Sequence, residues 1–225
     1  MLDDGKQIAT NPMNDEELIK IQQFAHVSRE TAQDLALYVR ELSKWQGRIN
    51  LISNTTLDAI WQRHIADSLQ LMDFLDLARS PLIDIGAGAG FPGMPLCIAA
   101  QRPTILVERD TRKAAFLRAV IQLVGCPASV VHMDAARFQY GEPSIIVSRA
   151  VAEVGAFLEL VEALVTSDTY ILLLKGKKAQ DELTAASKHW TMRVETHPSR
   201  TSPDGVILRL SDIQRRHDTP NRPNF

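Results

Sequence analysis

Five short apolar runs, separated by helical patterns, constrain the fold of this chain more than any other feature. They are rich in Ile, Val and Leu, and they read PLIDI (81–85), TILVE (104–108), ASVVHM (128–133), SIIVSRA (144–150) and TYILLL (169–174). Continuously apolar strands that alternate with helices are typical of a parallel sheet with helices on both faces. The sequence therefore predicts an α/β fold with a mostly parallel sheet.

The segments on either side of this alternation follow other patterns. Between residues 14 and 75, apolar residues recur at three- and four-residue steps, which predicts amphipathic helices, one of them capped by Ser28. After the fifth run, MRVETH (192–197) and GVILRL (205–210) predict an antiparallel hairpin. We therefore expect three parts: an N-terminal helical extension packed on the core (1–78), a Rossmann-like core (79–213) and a polar tail (214–225).

A glycine-rich turn, IDIGAGAGFPG, follows the first apolar run. Gly86, Gly88 and Gly90 separate a strand from a helix, and such a corner at the carboxyl end of a sheet binds nucleotides. The dinucleotide pattern needs a third glycine where this chain has Phe91, and the P-loop pattern needs a Gly-Lys-Ser/Thr that does not follow. The turn therefore predicts a nucleoside ligand without a pyrophosphate.

Two acidic residues follow neighbouring strands at the same edge of the predicted sheet. Glu108 ends the second run, where a carboxylate accepts hydrogen bonds from ribose hydroxyls. Asp134 comes just after the third run and is placed to accept an adenine amino proton. Together with the glycine turn, these acids favour an adenosine-containing ligand.

The pattern Asp84-x-Gly86-x-Gly88-x-Gly90, with the two acids, resembles the Rossmann-like class I methyltransferases that use S-adenosylmethionine. Five segments also occur in the order and spacing of one family, the bacterial small-subunit ribosomal RNA guanine-N7 methyltransferases called RsmG or GidB: RHIADSLQL, IDIGAGAGFPGMPLCI, RKAAFLRAV, VSRAVA and LLLKG. The resemblance implies an enzyme that transfers a methyl group from S-adenosylmethionine to N7 of a guanine in 16S ribosomal RNA of the small subunit. The alternative is a methyltransferase of another RNA, a protein or a small molecule.

The resemblance also implies site residues. The cofactor would contact Phe91, Arg149 and the backbone of Ala135 and Ala136, in addition to Gly86, Gly88, Glu108 and Asp134. Family members often carry Arg-x-Glu where this chain has Asp134-Ala135-Ala136, so we expect backbone contacts there. An arginine suits the carboxylate of the cofactor because its planar fork makes two parallel bonds.

Candidate RNA ligands lie in the N-terminal extension and in the later part of the core. His64, Asp67 and Ser68 share one helix face, which is either a polar face toward cofactor or RNA or a surface with an Arg63–Asp67 ion pair. Lys175, Lys177 and Lys178 form a basic cluster that suits phosphate or a solvated helix start, and Arg200 is a weaker candidate. We assign RNA binding to His64, Lys175, Lys177 and Arg200, and positioning of the reactants to Arg149 and Lys175.

The chemistry expected of such a site is modest. A guanine N7 carries a lone pair and no proton, so the reaction needs alignment and no general base. VSRAV after the fourth strand argues against an exocyclic amine as the target, and Cys97 and Cys126 do not end a core strand, as a nucleophile would. The histidines lack metal-ligand spacing, so no metal is expected.

The composition predicts where the protein acts and how it recognises RNA. Two cysteines, a net charge of −2 and no apolar run near the ~20 residues of a membrane helix predict a cytoplasmic protein without a membrane partner. With so little net charge, RNA would be recognised by shape more than by bulk charge. We expect a monomer.

Overall fold

One sheet of seven strands organises the part of the chain that the structure describes. The computed structural model describes residues 27–76 and 81–216, together with Ile19. The strands are β1 (Leu82–Ile85), β2 (Thr104–Glu108), β3 (Ala128–His132), β4 (Ile145–Arg149), β5 (Tyr170–Lys175), β6 (Trp190–Pro198) and β7 (Val206–Arg215). Their order is β3-β2-β1-β4-β5-β7-β6. Strands β1 to β5 are parallel, and the β6–β7 hairpin joins β5 in antiparallel register. The predicted mostly parallel sheet with a C-terminal antiparallel hairpin is confirmed.

Within residues 27–76 and 81–216, five helices of eight or more residues accompany the strands. They are α1 (Arg29–Gln46), α2 (Gly93–Ala100), α3 (Thr111–Val124), α4 (Val154–Val161) and α5 (Ala179–Ala186). Ser28 caps α1 by accepting the amide of Thr31 at 3.2 Å, as predicted. Asp110 caps α3 in the same way, because its carboxylate accepts two amides of the first turn.

The residues between α1 and β1 form a broken helix, which we call segment 54–74. It begins as a 3₁₀ helix (Asn54–Ala59), continues as a π-helical turn (Trp61–Ala66) and a single α turn (Asp67–Leu69), and ends as a 3₁₀ helix (Gln70–Phe74). Ile65 and Leu69 are fully buried, in line with the apolar face expected there. Mixed helical hydrogen bonding of this kind is common where a helix adapts to a functional site.

Helices cover both faces of the sheet. On one face, α1, α2, α3 and segment 54–74 share an apolar cluster with β2, which includes Leu35, Ile65, Leu106 and Phe116. On the other face, α4 and α5 pack on β1, β4, β5 and β7. Burial of each large apolar side chain contributes about 1.5–3 kcal/mol, so these two layers hold the sheet and its carboxyl edge rigidly.

Only some of the predicted boundaries between the three parts fall among the described residues. Strand β7 continues to Arg215, so the first two residues of the predicted tail belong to the sheet. Residues 217–225, the boundary at 78 and most of the first 26 residues lie outside the described residues, and the division into parts stays a prediction. None of the helices that the structure describes is both long and apolar enough to cross a membrane.

Candidate active site

The glycine turn after β1 has the backbone that only glycine adopts readily. Gly86, Gly88 and Gly90 have φ angles of +71°, +58° and +99°. A Cβ on Gly90 would lie 2.6 Å from the side chain of Met94. A Cβ on Gly88 would meet only a backbone oxygen at 3.8 Å, so this glycine borders open space. The turn is therefore packed tightly against the protein at Gly90 and is accessible to a ligand at Gly88.

The N-terminal helix α1 supports this turn directly. The buried hydroxyl of Tyr38 donates to the carbonyl oxygen of Ala89 at 2.5 Å. Its ring also lies 5.5 Å from the ring of Phe91, measured between centroids. The helices before the sheet thus form part of the wall of the candidate site.

Glu108, at the end of β2, faces the same turn. Its carboxylate accepts the amide of Gly88 through Oε2 at 2.7 Å and the amide of Asp110 through Oε1 at 2.7 Å. The residue is only 7% exposed. Each oxygen keeps a further lone pair, so the carboxylate orders the turn and is also placed to accept hydroxyl donors.

The end of β3 supplies a third wall. Asp134 accepts the amide of Ala136 at 3.0 Å and so caps the short helix Ala135–Arg137. Its other oxygen lies 3.8 Å from the guanidinium of Arg109, in an exposed pair. The amide of Ala136 is therefore already used. Met133, which is 40% exposed, adds an apolar surface beside these residues.

Asp84 lies beneath the turn and is fully buried. One carboxylate oxygen accepts the amide of Gly93 at 2.8 Å, and the other has no hydrogen-bond partner among the described residues. Burial raises the pKa of Asp84 to about 7, because the charged form loses its hydration. A Cβ on Gly93 would lie 2.6 Å from this carboxylate and 2.7 Å from Leu106, so only glycine fits there.

Arg149, at the end of β4, joins the sheet to segment 54–74. Its guanidinium donates to Nδ1 of His64 at 2.7 Å and to the carbonyl oxygen of Arg63 at 3.1 Å. It lies 3.6 Å from a carboxylate oxygen of Asp67 and stacks over the ring of Phe91 at 4.8 Å. All of these partners belong to the protein, and the predicted contact of Arg149 with the carboxylate of a cofactor stays a prediction.

His64 is held in its neutral form. Its ring stacks on Phe91, and Nε2 lies 2.9 Å from the hydroxyl of Thr56. Burial, followed by the charges of Arg149 and Arg63, lowers the pKa of His64 to about 3. Because Nδ1 accepts a hydrogen bond from Arg149, Nε2 must carry the ring proton and donate to Thr56. Neither nitrogen is available to remove a proton from a substrate.

Asp67 and Ser68 share the face that the sequence placed with His64. Asp67 pairs with Arg149 and not with Arg63, which removes the predicted surface ion pair. The hydroxyl of Ser68 is fully buried and donates to the carbonyl oxygen of His64 at 2.6 Å. The face is therefore turned toward the sheet, and Asp67 alone of this pair reaches the cavity described next.

A polar cavity of about 400 Å³ adjoins Arg149. It is open to solvent on one side and is lined by segment 54–74, the ends of β4 and β5 and the loop of the β6–β7 hairpin. Its wall combines the apolar side chains of Leu174 and Val206 with polar groups from Arg63, His64, Asp67, Arg149, Lys177 and Thr201. Its volume is within the ~300–1,000 Å³ range of small-ligand sites.

The turn after β4 connects the cavity with the glycine turn. Ala150 has a φ of +55°, an unusual conformation for a residue with a Cβ. Val151 follows and packs against Gly86, where a Cβ would lie 2.6 Å from its methyl group. Arg149 and Val151 are thereby brought to the same corner of the sheet.

Lys175 is engaged within the protein. Its ammonium donates to the carbonyl oxygen of Ala152 and pairs with Glu182 at 2.8 Å, with only 8% of the lysine side chain exposed. Glu182 also accepts the amide of Val154 at 3.1 Å. The pair fixes the turn after β4 and argues against a role of Lys175 as a phosphate ligand. Its role in positioning the reactants stays a prediction.

The other predicted RNA ligands lie at the rim of the cavity or near it. Lys177 is exposed and pairs with Asp204 at 3.1 Å, and Arg200 pairs with Asp73 at 2.9 Å. Exposed pairs of this kind contribute at most about 1 kcal/mol, so both cations can exchange their partner for a phosphate. Arg63, which the sequence analysis did not assign to RNA, is exposed at the rim and has no ion-pair partner among the described residues.

The comparison with protein families decides which family this arrangement belongs to. A family model described as rRNA small subunit methyltransferase G matches residues 31–204. The chain belongs to this family. The predicted family and the enzyme class, a methyltransferase, are confirmed.

Relatives named ribosomal RNA small subunit methyltransferase G support the assignment over most of the chain. The protein of Rhodospirillum centenum is 45% identical over 190 residues, which cover 84% of this chain and 88% of that protein. The protein of Granulibacter bethesdensis is 42% identical and covers 84% of this chain and 89% of its own length.

Solved structures show the same fold at low sequence identity. Magnesium protoporphyrin IX methyltransferase of Synechocystis PCC 6803, solved with bound SAM, superposes with a TM-score of 0.54 at 14% identity and covers 90% of this chain and 100% of that chain. TYW2 of M. jannaschii, in complex with AdoMet, gives a TM-score of 0.54 at 13% identity and covers 76% of this chain and 80% of that one. The predicted class I methyltransferase fold is confirmed.

Several residues of this site were not found from the sequence. Tyr38 lies on the apolar face of α1, and the sequence gives no sign that its hydroxyl bonds the glycine turn. Thr201 and Met133 lie in segments whose polarity is ordinary, and Gln70 is a fully buried glutamine in an apolar pattern. Only Gln70 offers a signal in hindsight, because a buried amide needs several partners.

No metal centre is apparent in the part of the chain that the structure describes. Within residues 27–76 and 81–216, His, Cys, Asp and Glu side chains form no group of three that could hold an ion. Cys97 and Cys126 are both buried and free. Cys97 donates to the carbonyl oxygen of Arg102 at 3.3 Å, as expected of a core cysteine.

Proposed function

We propose that this chain transfers the methyl group of S-adenosylmethionine to N7 of a guanine in 16S ribosomal RNA of the small ribosomal subunit. The observation that carries the proposal is the continuity of two sites in a member of this family. The glycine turn and Glu108 form a nucleoside corner, and Arg149 links that corner to a polar cavity of about 400 Å³. One site suits the methyl donor and the other the target base.

The residues of the nucleoside corner fit S-adenosylmethionine. Glu108 would accept the ribose hydroxyls, and the open side of Gly88 would let the ligand approach the backbone. The adenine would lie near Asp134, the backbone of 135–136 and the apolar side chain of Met133. Phe91 would face the methionine end, beside Gly86. When bound, the cofactor supplies an electrophilic methyl group.

The protonation states around the cavity suit an N7 target. In the proposed reaction the N7 lone pair forms the new bond to carbon, and no proton leaves the base. His64 is neutral with both nitrogens hydrogen-bonded, and Lys175 is paired with Glu182. His64 and Lys175 would thus serve alignment and not proton removal, which is what this reaction requires.

The RNA would approach across the rim. Arg63, Lys177 and Arg200 are exposed there and would contact phosphates, while the shape of the cavity selects one extruded base. We further propose that the enzyme acts in the cytoplasm as a monomer without a metal ion. Residues 1–78 would form the helical extension, 79–213 the core and 214–225 a tail.

Transfer of radioactive methyl groups tests the proposal. Small subunits from a strain that lacks this enzyme would be incubated with the protein and tritiated S-adenosylmethionine, in parallel with total protein and free metabolites. We expect label in 16S RNA, recovered as 7-methylguanosine after digestion. Label confined to protein, to metabolites or to another RNA would refute the RNA substrate.

Calorimetry tests the cofactor separately. Titration with S-adenosylhomocysteine should give saturable binding, whereas NAD should give none, since Phe91 replaces the third glycine of the dinucleotide pattern. Equal binding of NAD would overturn the assignment of the nucleoside corner.

A further inference from the structure

Asp67 presents a fixed hydrogen-bond acceptor to the cavity. Its Oδ1 accepts hydrogen bonds from the hydroxyl of Thr201 at 2.6 Å and from the side-chain amide of Gln70 (Nε2) at 2.9 Å. Its Oδ2 lies 3.6 Å from the guanidinium of Arg149 and keeps lone pairs for another donor. The side chain is 18% exposed, so it reaches the cavity and is otherwise enclosed.

The acceptor is held in place from two parts of the chain. Gln70, which is fully buried, donates to Asp67 and also accepts the amide of Arg200 at 3.0 Å. Thr201 belongs to the loop between β6 and β7, so the network ties that loop to segment 54–74. A group that is positioned before binding loses little entropy when a ligand arrives, which favours specific recognition.

The order of groups along the wall matches one edge of guanine. The donor Arg149 and the acceptor Asp67 lie side by side in the wall, 3.6 Å apart. Arg149 also stacks over the buried ring of Phe91, which follows the glycine turn, so Arg149 lies between the nucleoside corner and Asp67. Around guanine, N7 is followed by the acceptor O6 and then by the donors N1–H and the N2 amino group. If N7 faces the methyl donor, O6 therefore meets Arg149 and the two donors meet Asp67.

We propose that Asp67 is the residue that selects guanine, by accepting hydrogen bonds from N1–H and the N2 amino group of the target base. This inference rests on the proposed function and adds to it the residue that reads the base. Adenine would be rejected, because its N1 has a lone pair that would face the carboxylate. A site built to bond a donor discriminates strongly against a base that lacks it.

The test compares two bases at the target position. The methylated nucleotide is first mapped with the wild-type protein on unmethylated small subunits, and an absence of 7-methylguanosine at this step would refute the proposed function itself. Subunits are then assembled from ligated 16S RNA that carries guanosine or inosine at that position, since inosine differs only by lacking the N2 amino group. The measured quantity is the ratio of kcat/KM for guanosine to kcat/KM for inosine.

We expect the wild-type ratio to be roughly 10- to 100-fold, the range for one hydrogen bond to a charged group. In Asp67→Asn the ratio should collapse toward one, while the affinity for S-adenosylhomocysteine stays within about twofold of wild type, as for an intact fold. The control is Asp58→Asn, an exposed acid on the same segment that lies outside the cavity, and it should keep the wild-type ratio.

A purely structural role of Asp67 would give a different result. Loss of the network would lower the rates on both bases by the same factor and leave their ratio unchanged, which would overturn the proposal, as would a wild-type ratio near one. If Asp67→Asn is inactive on both bases, Thr201→Val decides, because it loosens the carboxylate without removing it. Its ratio should fall below that of wild type, and an unchanged ratio would again refute base selection by Asp67.

Discussion

His64 should make the stability of this protein depend on pH in a way that one substitution removes. In the fold its imidazole is neutral, buried against Phe91 and hydrogen-bonded to Arg149 and Thr56. Burial and the neighbouring guanidinium groups lower the pKa of His64 to about 3, whereas a histidine in an unfolded chain titrates near ~6.5. Below pH ~6.5 the unfolded chain therefore binds a proton that the folded chain does not.

The magnitude follows from these two pKa values. A histidine whose pKa is lowered on folding has little effect on the unfolding free energy above its pKa in the unfolded chain. As the pH falls from that value toward its pKa in the folded chain, it lowers the unfolding free energy increasingly. At pH 7 the contribution is about 0.2 kcal/mol, and at pH 5 it is about 2 kcal/mol. The expected loss of unfolding free energy between these pH values is thus about 2 kcal/mol for this residue alone.

The assay must separate His64 from Asp84, which acts in the opposite direction. The pKa of Asp84 is raised to about 7, so its contribution to stability is lost as the pH rises from ~3.8 toward 7. Urea unfolding at pH 5 and pH 7 would therefore be compared between wild type and His64→Gln. The advantage of wild type over this variant should shrink by about 2 kcal/mol at pH 5, because Asp84 contributes equally to both proteins.

An exposed histidine provides the control for that comparison. His189→Gln should show a difference from wild type that does not change with pH in this way, because the side chain of His189 is exposed. If the difference between wild type and His64→Gln is the same at pH 5 and pH 7, the imidazole is not held neutral by its surroundings. The hydrogen-bond assignment of Arg149 and Thr56 would then be wrong as well.

Three further substitutions test the nucleoside corner and the rim. Glu108→Ala should weaken binding of S-adenosylhomocysteine by about 1.5–3 kcal/mol in calorimetry, and it should also lower the unfolding free energy because the glycine turn loses its acceptor. Glu159→Ala, at an exposed acid, should change neither quantity. Normal ligand affinity of Glu108→Ala would contradict the ribose role of Glu108. Gly93→Ala should cost about 1–3 kcal/mol in urea unfolding, since its Cβ would overlap the Asp84 carboxylate, and wild-type stability would show that the packing there is loose. Arg63→Ala should lower methylation of small subunits and reduce the slope of log activity against log salt concentration by about 1, whereas an unchanged slope would remove Arg63 from the phosphate contacts.

Much of the fold could be predicted because its signals are local. A short, continuously apolar run predicts a buried strand from its own residues alone. The glycine-rich turn was also predicted, and its three glycines, Gly86, Gly88 and Gly90, have positive φ. Carboxyl ends of parallel strands meet at one edge, so the sequence could also place Glu108 beside the turn. It could not show that the Glu108 carboxylate already bonds the amides of Gly88 and Asp110, because those contacts depend on side-chain geometry.

The cavity could not be predicted because its parts are distant in sequence. Arg149 meets His64 across 85 positions of the chain, and Thr201 meets Asp67 across 134. Helical periodicity placed His64 and Asp67 on one face but left open what that face contacts. Only the docking of segment 54–74 against the ends of β4 and β5 decides it, and that docking includes a π-helical turn that no three- or four-residue pattern predicts.

The pairing of charges in the site is consistent with the proposed reaction. Around the cavity, Arg149 lies against Asp67 and Lys175 against Glu182, so these buried charges cancel within each pair. Methylation of N7 moves one positive charge from the donor to the guanine ring and creates none. A site with a large net charge would favour one side of that transfer, whereas paired charges favour neither and still supply oriented dipoles. Asp67 is the exception in one respect, since its carboxylate would face the ring as that ring becomes cationic. On this reasoning Asp67→Asn should lower kcat on guanosine, in addition to lowering the ratio of kcat/KM for guanosine to kcat/KM for inosine. Measurement of kcat at saturating subunits would distinguish the loss of rate from the loss of base selection.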